Sequence, residues 1–344
     1  YTLSLHDALP TIVGDIVLDN TAFAPSPTQP GDFDGQPLSA YNAAPDALLI
    51  NFKSVLLTVT PDPAQGVAHL QWDPPLAGVQ MPRTVALTSG DCGDYRAALK
   101  ADFTDPLRFR VLGTYAAACK EKTWPFAYAD PANYAPRAVQ GLWQSMGGQL
   151  QGSVRLGTLP AQASSWQPAL VARSASLAEI VRDINKYSNN VMAQQLFLTL
   201  GRAASGTSAD LPSARAALLT WWQQRLGSVE PPVLDNGSGL SRSERISAQA
   251  LARLLQTAHA STLMPELMAS LPIYGVDGTL RRVPQAVGGG AHLKTGSLAD
   301  VTALGGYVHA ASGKRYVLVA IVNHANARAA RTALQTLVQA AIAL

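Results

Sequence analysis

At 344 residues and 47% hydrophobic, the chain can bury a large core and hold more than one domain. Lysine and arginine total 26 against 23 acidic residues, a formal charge of +3 with 14% charged side chains and no basic run, which argues against a nucleic-acid binder. No apolar run approaches the roughly 18–20 residues that a membrane-spanning helix needs, so no transmembrane segment is expected.

Tyr1 to about Thr11 resembles a peptide translated from sequencing-library adapter DNA, and there is no initiating Met. Residues 1–12 are therefore set aside from fold reasoning as a processing scar. On that reading the chain is truncated at its N-terminus, and the lack of a visible signal peptide says nothing about location. Residues 14–19 read as a strand ending in a turn. Residues 24–46, rich in Pro, Gly, Asp and Ser, read as a long loop.

From Leu48 to about Cys119 the pattern is mostly β. Residues 55–59 and 67–72 flank the turn-rich stretch 61–66, a hairpin signal. Leu107-Arg108-Phe109-Arg110-Val111 alternates apolar and charged residues, the period of a half-buried strand. Cys92 and Cys119 bracket it. No Cys-x-x-Cys or His/Cys cluster exists, so a zinc site is not expected. The two cysteines are either a disulfide across a small β region of an exported protein or two buried free thiols.

Residues 137–150 read as a helix and 152–156 as a strand. After Trp166 the period changes. Leu177, Ile180, Val181 and Ile184 keep helical spacing, and Met192, Leu196 and Leu200 continue a second apolar stripe. Helices follow near 213–226 and 247–259, the latter with Ser247 as N-cap. Strands at 303–309 and 315–323 and a helix at 325–343 complete an α/β layer, preceded by β-rich accessory structure.

Two short motifs carry chemistry. Ser188-Asn189-Asn190 falls between two helical stripes, where a hydroxyl and an amide can point the same way. Alone it is weak, since roughly one Ser-x-Asn is expected by chance in a chain this long. Lys294-Thr295-Gly296-Ser297 precedes two strands and offers an ammonium, hydroxyls and a bare backbone, which suit a carboxylate docked beside a strand edge. With seven lysines in the chain, chance supplies roughly 0.04 Lys-Thr-Gly triplets.

Bland readings stand beside these. Ser188 could merely cap the helix starting near Asn190, and Lys294 could be a solvated strand-start lysine. Gly237-Ser238-Gly239 lacks the first glycine of a nucleophile elbow, because Asn236 stands there, so it reads as a structured turn. The six histidines show no ligand spacing. His292 and His324 are candidates to lie near the site, but a structural or surface role is expected for them. Gly288-Gly289-Gly290 has no Lys-Ser/Thr after it, so it reads as an approach to the Lys294 strand rather than a phosphate loop.

Ser-x-Asn followed about a hundred residues later by Lys-Thr-Gly gives two of the three motifs of the active-site-serine penicillin-recognising enzymes. The chain resembles the D-alanyl-D-alanine carboxypeptidase/endopeptidase family, peptidase class S13. The likeness extends to Asp235-Asn236-Gly237-Ser238-Gly239-Leu240-Ser241-Arg242, to residues 271–280 and to most of the chain from residue 13 onward. It implies an α/β (α+β) fold: a transpeptidase/β-lactamase-like domain at 166–344, an antiparallel sheet with flanking helices. Accessory structure would come from 13–47 and 126–165, with a small nested β domain at 48–125.

The resemblance also implies roles. A serine would attack the D-Ala-D-Ala carbonyl and form an acyl-enzyme. Ser188 would relay a proton to the leaving amine, Asn190 would bond the substrate amide, and Lys294 would supply positive potential. Thr295 and Ser297 would hold the terminal carboxylate, Gly296 would admit the substrate as an added strand, and the Ser297 N–H would form half of the oxyanion hole. Implied partners are peptidoglycan stem peptides ending in D-Ala-D-Ala and, for an intact enzyme, β-lactams. No metal or organic cofactor is implied, and the location would be periplasmic.

One departure stands out. The family's nucleophile lies in Ser-x-x-Lys, upstream of Ser-x-Asn. The residues three before the seven lysines are Ile50, Ala97, Ala117, Cys119, Asp183, Ala291 and Ala311, and none is serine. The expectation is a chain that lacks its nucleophile and cannot acylate. Other readings are a homologue that binds peptidoglycan or a partner without catalysis, and a β-lactamase or esterase of the same superfamily.

Overall fold

The computed structural model describes residues 11–27, 29–160, 165–283 and 288–344. Most of the stretch set aside as a scar, residues 1–10, lies outside them. The chain divides into two compact units, Tyr1–Gln167 and Pro168–Leu344.

In the first unit, β1 (Thr11–Val13) and β2 (Ile16–Leu18) pair in parallel with β10 (Gln149–Gln151) and β11 (Val154–Leu156). Thr11 and Ile12, within the set-aside range, are thus part of a strand. A five-stranded sheet has the order β8-β5-β4-β3-β9. Its strands are β3 (Ser54–Asp62), β4 (Val67–Asp73), β5 (Thr84–Thr88), β8 (Thr114–Ala116) and β9 (Lys122–Ala127). Alternation along β3 sends Val55, Leu57 and Val59 inward, all at 0% exposure. They meet an aromatic cluster in which Phe103 stacks on Phe126 at 3.9 Å and Trp72 lies 5.4 Å from Phe109.

Helix α1 (Tyr95–Leu99) starts at Asp94, whose carboxylate accepts the N–H groups of Arg96 and Ala97. A disulfide joins Cys92 to Cys119. The strand expected across 107–112 does not form as a unit. Asp105 accepts the Leu107 N–H and folds the chain into a turn, leaving only β7 (Arg110–Val111) paired with β6 (Ala101–Asp102). Leu107 and Leu112 stay exposed while Phe109 is buried, so the alternation marked one inward side chain rather than a strand face. Helix α2 (Tyr134–Ser145) is tied to β3 by the Tyr134 hydroxyl, which donates to Ser54 O at 2.8 Å.

The second unit begins with α3 (Leu177–Tyr187), α4 (Asn190–Ser205), α5 (Leu211–Leu226), α6 (Ala248–His259) and α7 (Met264–Ser270). Its sheet is antiparallel, in the order β12 (Ala291–Ser297), β13 (Val301–His309), β14 (Arg315–Asn323). One face packs Leu293, Leu304 and Val308 against Leu334, Val338 and Ile342 of α8 (Arg331–Ala343). The other meets α6, where the Tyr307 hydroxyl donates to Leu255 O at 2.8 Å.

Two details differ from the sequence pattern. The last helix is preceded by a 3-10 turn, Ala327–Ala330, so its α-helical part starts only at Arg331. The buried side of α4 is Val191, Phe197, Leu198 and Gly201, whereas Leu200 of the expected stripe is 45% exposed. Gly201 sets that orientation: a Cβ there would lie 2.8 Å from Ala214 N, so α5 approaches α4 on the glycine side.

Candidate active site

Helix α3 opens with a capping box, in which Ser176 and Glu179 satisfy one another's backbone N–H groups. It closes at Ser188, which sits in the left-handed region at φ 55°, ψ 47°. That conformation is uncommon for a residue with a side chain. It reverses the chain so that α4 starts at once, and the N-cap of α4 is Asn189, whose Oδ1 accepts the Met192 N–H at 3.0 Å. Ser188 therefore does not cap the following helix. Its hydroxyl instead accepts a hydrogen bond from Lys294 Nζ at 2.8 Å, across a separation of 106 residues.

Lys294 lies in mid-strand on β12, and its ammonium also donates to Thr295 O at 2.7 Å. Burial pulls its pKa down from 10.5 to about 8. Strand alternation puts Thr295 and Ser297 on the opposite face from Lys294 and Gly296. Thr295 Oγ1 lies 3.1 Å from Thr279 Oγ1.

The outer edge of β12 is covered only in its first half. Leu293 N–H donates to Pro272 O, and Ala291 O accepts from Tyr274 N–H. By the same alternation Thr295 and Ser297 direct their backbone groups outward, where no strand lies among the described residues. A Cβ at Gly296 would meet nothing closer than Ala303 Cβ at 3.7 Å. Space inside the sheet therefore does not require glycine there.

Asn190, the first residue of α4, donates from Nδ2 to Ser238 O at 2.9 Å. The carbonyl belongs to a tightly tied turn. Glu244 Oε1 accepts the N–H groups of Asp235, Asn236 and Gly237 at 3.2, 3.3 and 3.2 Å. Arg215 pairs with Asp235 at 3.1 Å. Ser238 Oγ donates to Asn236 Oδ1 at 2.7 Å and accepts the Leu240 N–H at 3.1 Å. A serine so engaged is a turn component. Gly237, at φ +76°, leaves room for Phe197, which a Cβ would approach to 2.6 Å.

A cavity of about 660 Å³ lies beside Lys294, Thr295 and Gly296, walled by α6 and closed at one side by an Arg242–Asp300 ion pair at 2.7 Å. Below the site, Lys186 Nζ donates to Leu271 O and Asp277 Oδ2, each at 2.7 Å, pinning the end of α3 to the 271–280 segment. Sequence reasoning missed this clamp and the Glu244 cradle. The quoted family-like segments contained Asp277 and stopped two residues short of Glu244. Of the two histidines weighed, His292 Nδ1 lies 3.1 Å from Met268 O and His324 Nδ1 accepts the Asn326 N–H at 3.0 Å, so both have local partners. Among the described residues no cluster of His, Cys, Asp and Glu could hold a metal, and no helix is long and apolar enough to cross a membrane.

The arrangement can hold a proton on a serine hydroxyl beside a buried ammonium, next to an amide and an open strand edge. The model of the D-Ala-D-Ala carboxypeptidase 3 (S13) family matches residues 7–344. The D-alanyl-D-alanine carboxypeptidase of Actinomadura sp. (strain R39) is 33% identical over 219 residues, 60% of this chain and 39% of the relative. The D-alanyl-D-alanine carboxypeptidase DacB of Haemophilus influenzae is 26% identical over 225 residues, 64% of this chain and 46% of the relative. The matches thus span less than half the length of these relatives. The crystal structure of penicillin binding protein 4 (dacB) from Haemophilus influenzae superposes with a TM-score of 0.68 at 22% identity, covering 94% of this chain and 75% of that one. The fold is accordingly the mixed α/β fold of that structure, with an antiparallel sheet and flanking helices in the second unit.

Proposed function

This chain belongs to the D-Ala-D-Ala carboxypeptidase 3 (S13) family, and we propose that it carries the substrate-holding side of a serine-type D-Ala-D-Ala carboxypeptidase/endopeptidase acting on peptidoglycan peptides. The observation that carries this reading is the 2.8 Å contact between Lys294 Nζ and Ser188 Oγ. It joins two motifs that the sequence keeps far apart.

In the reaction, a nucleophilic serine attacks the carbonyl between the two D-alanines. The C–N bond breaks, the terminal D-Ala leaves as an amine carrying a proton, and water then hydrolyses the ester. Ser188 is placed to pass that proton, with Lys294 favouring negative charge nearby. Asn190 has its Nδ2 committed to Ser238 O, so its Oδ1 remains to accept the substrate's amide N–H. The outward edge at Thr295–Ser297 suits a peptide added as a strand, with the Ser297 N–H turned towards a developing oxyanion. The Thr295 and Ser297 hydroxyls hold the terminal carboxylate. The Cys92–Cys119 disulfide supports an oxidising compartment, and the periplasm fits a wall substrate.

None of the seven lysines follows a serine at the spacing of Ser-x-x-Lys, and we propose that these 344 residues alone form no acyl-enzyme. Incubation with a fluorescent penicillin followed by denaturing electrophoresis is expected to leave the chain unlabelled, and a covalent band would overturn that claim. A longer natural form with Ser-x-x-Lys upstream is expected to label and to release D-alanine from a D-Ala-D-Ala peptide. Failure of both in such a form would overturn the family activity for this protein.

A further inference from the structure

We propose that Thr302, Arg282 and Arg331 form the anion-binding end of the site, in a cavity on the α8 face of β12 that takes the carboxylate of a D-Ala-terminated peptide. The inference rests on the reading above and adds residues to it.

The cavity measures about 380 Å³ and is lined by Thr295 and Ser297 of β12, Thr302 of β13, Arg282, and Arg331 and Gln335 of α8. Thr302 lies directly across from Ser297 in the antiparallel register, so Thr295, Ser297 and Thr302 share one face. Thr302 is only 5% exposed, and its Oγ1 has no hydrogen-bond partner among the described residues. A buried hydroxyl left unpaired is a cost that native structures rarely carry without a ligand or a water to meet it. Both arginines are solvent-exposed, and neither forms an ion pair among the described residues. Among the described residues no aspartate or glutamate lines the cavity.

Lys294 cannot supply this charge directly. Its ammonium is committed on the other face, to Ser188 Oγ and Thr295 O. A carboxylate near the Thr295 and Ser297 hydroxyls would therefore find its guanidinium partners at Arg282 and Arg331.

The test compares a peptide ending in D-Ala-D-Ala as the free acid with the same peptide as a C-terminal amide, by ligand-observed NMR titration of the full chain. It needs no nucleophile. The acid is expected to bind about tenfold or more tightly than the amide. Arg282→Gln and Arg331→Gln should each cut that preference, and the double variant should abolish it, while Arg→Lys at either position restores part of it. Thr302→Val should weaken the acid about threefold without lowering the melting temperature, because it removes an orphan hydroxyl at constant shape. A purely structural threonine would leave the acid preference unchanged.

Equal binding of acid and amide, no binding of either up to millimolar concentration, or a preference that survives the double variant would overturn the proposal. Melting curves identify a Gln variant that fails to fold, in which case the Lys variants and Thr302→Val decide. Equal binding would leave penicillin labelling of a longer form intact. Loss of that labelling would leave the acid preference standing.

Discussion

The two sheets of this protein are finished to different degrees. In the first unit, Val55, Leu57 and Val59 of β3 are at 0% exposure, behind stacked aromatic rings. In the second, β14 carries seven consecutive apolar residues, Tyr316 to Val322, yet none of its nine residues is fully buried. Helix α3, which ends at Ser188, buries none of its eleven residues, and its Leu177 is 64% exposed. Burial is thus complete on the inward face of β3 and only partial on β14 and α3, although β12 and β13 bury Leu293 and Val308 fully, and the second unit leaves part of the β12 edge uncovered among the described residues. Open strand edges are where a peptide can be received, and also where unwanted pairing starts.

The largest test of this contrast is Phe126→Ala. Phe126 is 2% exposed and touches Phe103, Trp72 and Phe109. Its truncation is expected to cost about 3–5 kcal/mol in denaturant unfolding of the first unit. Ile321→Ala on half-exposed β14 should cost clearly less, and its amides should exchange faster with solvent than those of β3. Equal costs would break the comparison.

Next comes Lys294. Burial lowers its pKa from 10.5 to about 8. Below pH 8 both folded and unfolded states are protonated, and the folded state bears the full desolvation penalty. Between about pH 8 and 10.5 the folded lysine has lost its proton and the unfolded one has not, so stability rises with pH, by on the order of 3 kcal/mol in all. Unfolding of wild type and Lys294→Met, compared across that window, isolates this slope from tyrosine titration. The same deprotonation removes the cation from the site. Because Lys294 lies on the opposite face from the proposed carboxylate cavity, the preference for acid over amide should hold across pH 8 while stability climbs.

Glu244→Ala should cost about 2 kcal/mol, since three N–H groups lose a charged acceptor. Only the second unit's unfolding should respond. A change in the first unit's transition would mean that the turn at 235–244 is not the local device described here.

What the sequence could show follows from the range of each signal. Helical and strand periods placed most elements of the second unit, because apolar spacing reports local geometry. Ser188, Asn190 and Lys294 were legible only through resemblance, since no local rule says that a lysine 106 residues away will reach a given serine. The Leu107–Leu112 pattern misled because a side chain, Asp105, captured a backbone N–H and bent the chain, and period-2 alternation is blind to that. Asn189 displaced Ser188 as the cap of α4 because Ser188 took up the left-handed turn. The Lys186–Asp277 clamp depends on two segments meeting in space, and neither carries a pattern that announces the other.

The smallest expected effect is at Arg242. Its 2.7 Å ion pair with Asp300 looks like a brace across the cavity, but the side chains are 51% and 56% exposed. Water and salt screen such a pair, and two long side chains must be ordered to make it. By contrast Lys53 and Asp46 in the first unit pair at 12% and 11% exposure, where neither charge has much water to return to. Arg242→Gln should therefore change unfolding free energy by less than about 0.5 kcal/mol, with little dependence on salt. A loss well above about 1 kcal/mol would mean that the second unit relies on its cavity rim for stability. If the loss is as small as expected, the Arg242–Asp300 pair contributes little to the second unit's stability, and opening it costs the fold little.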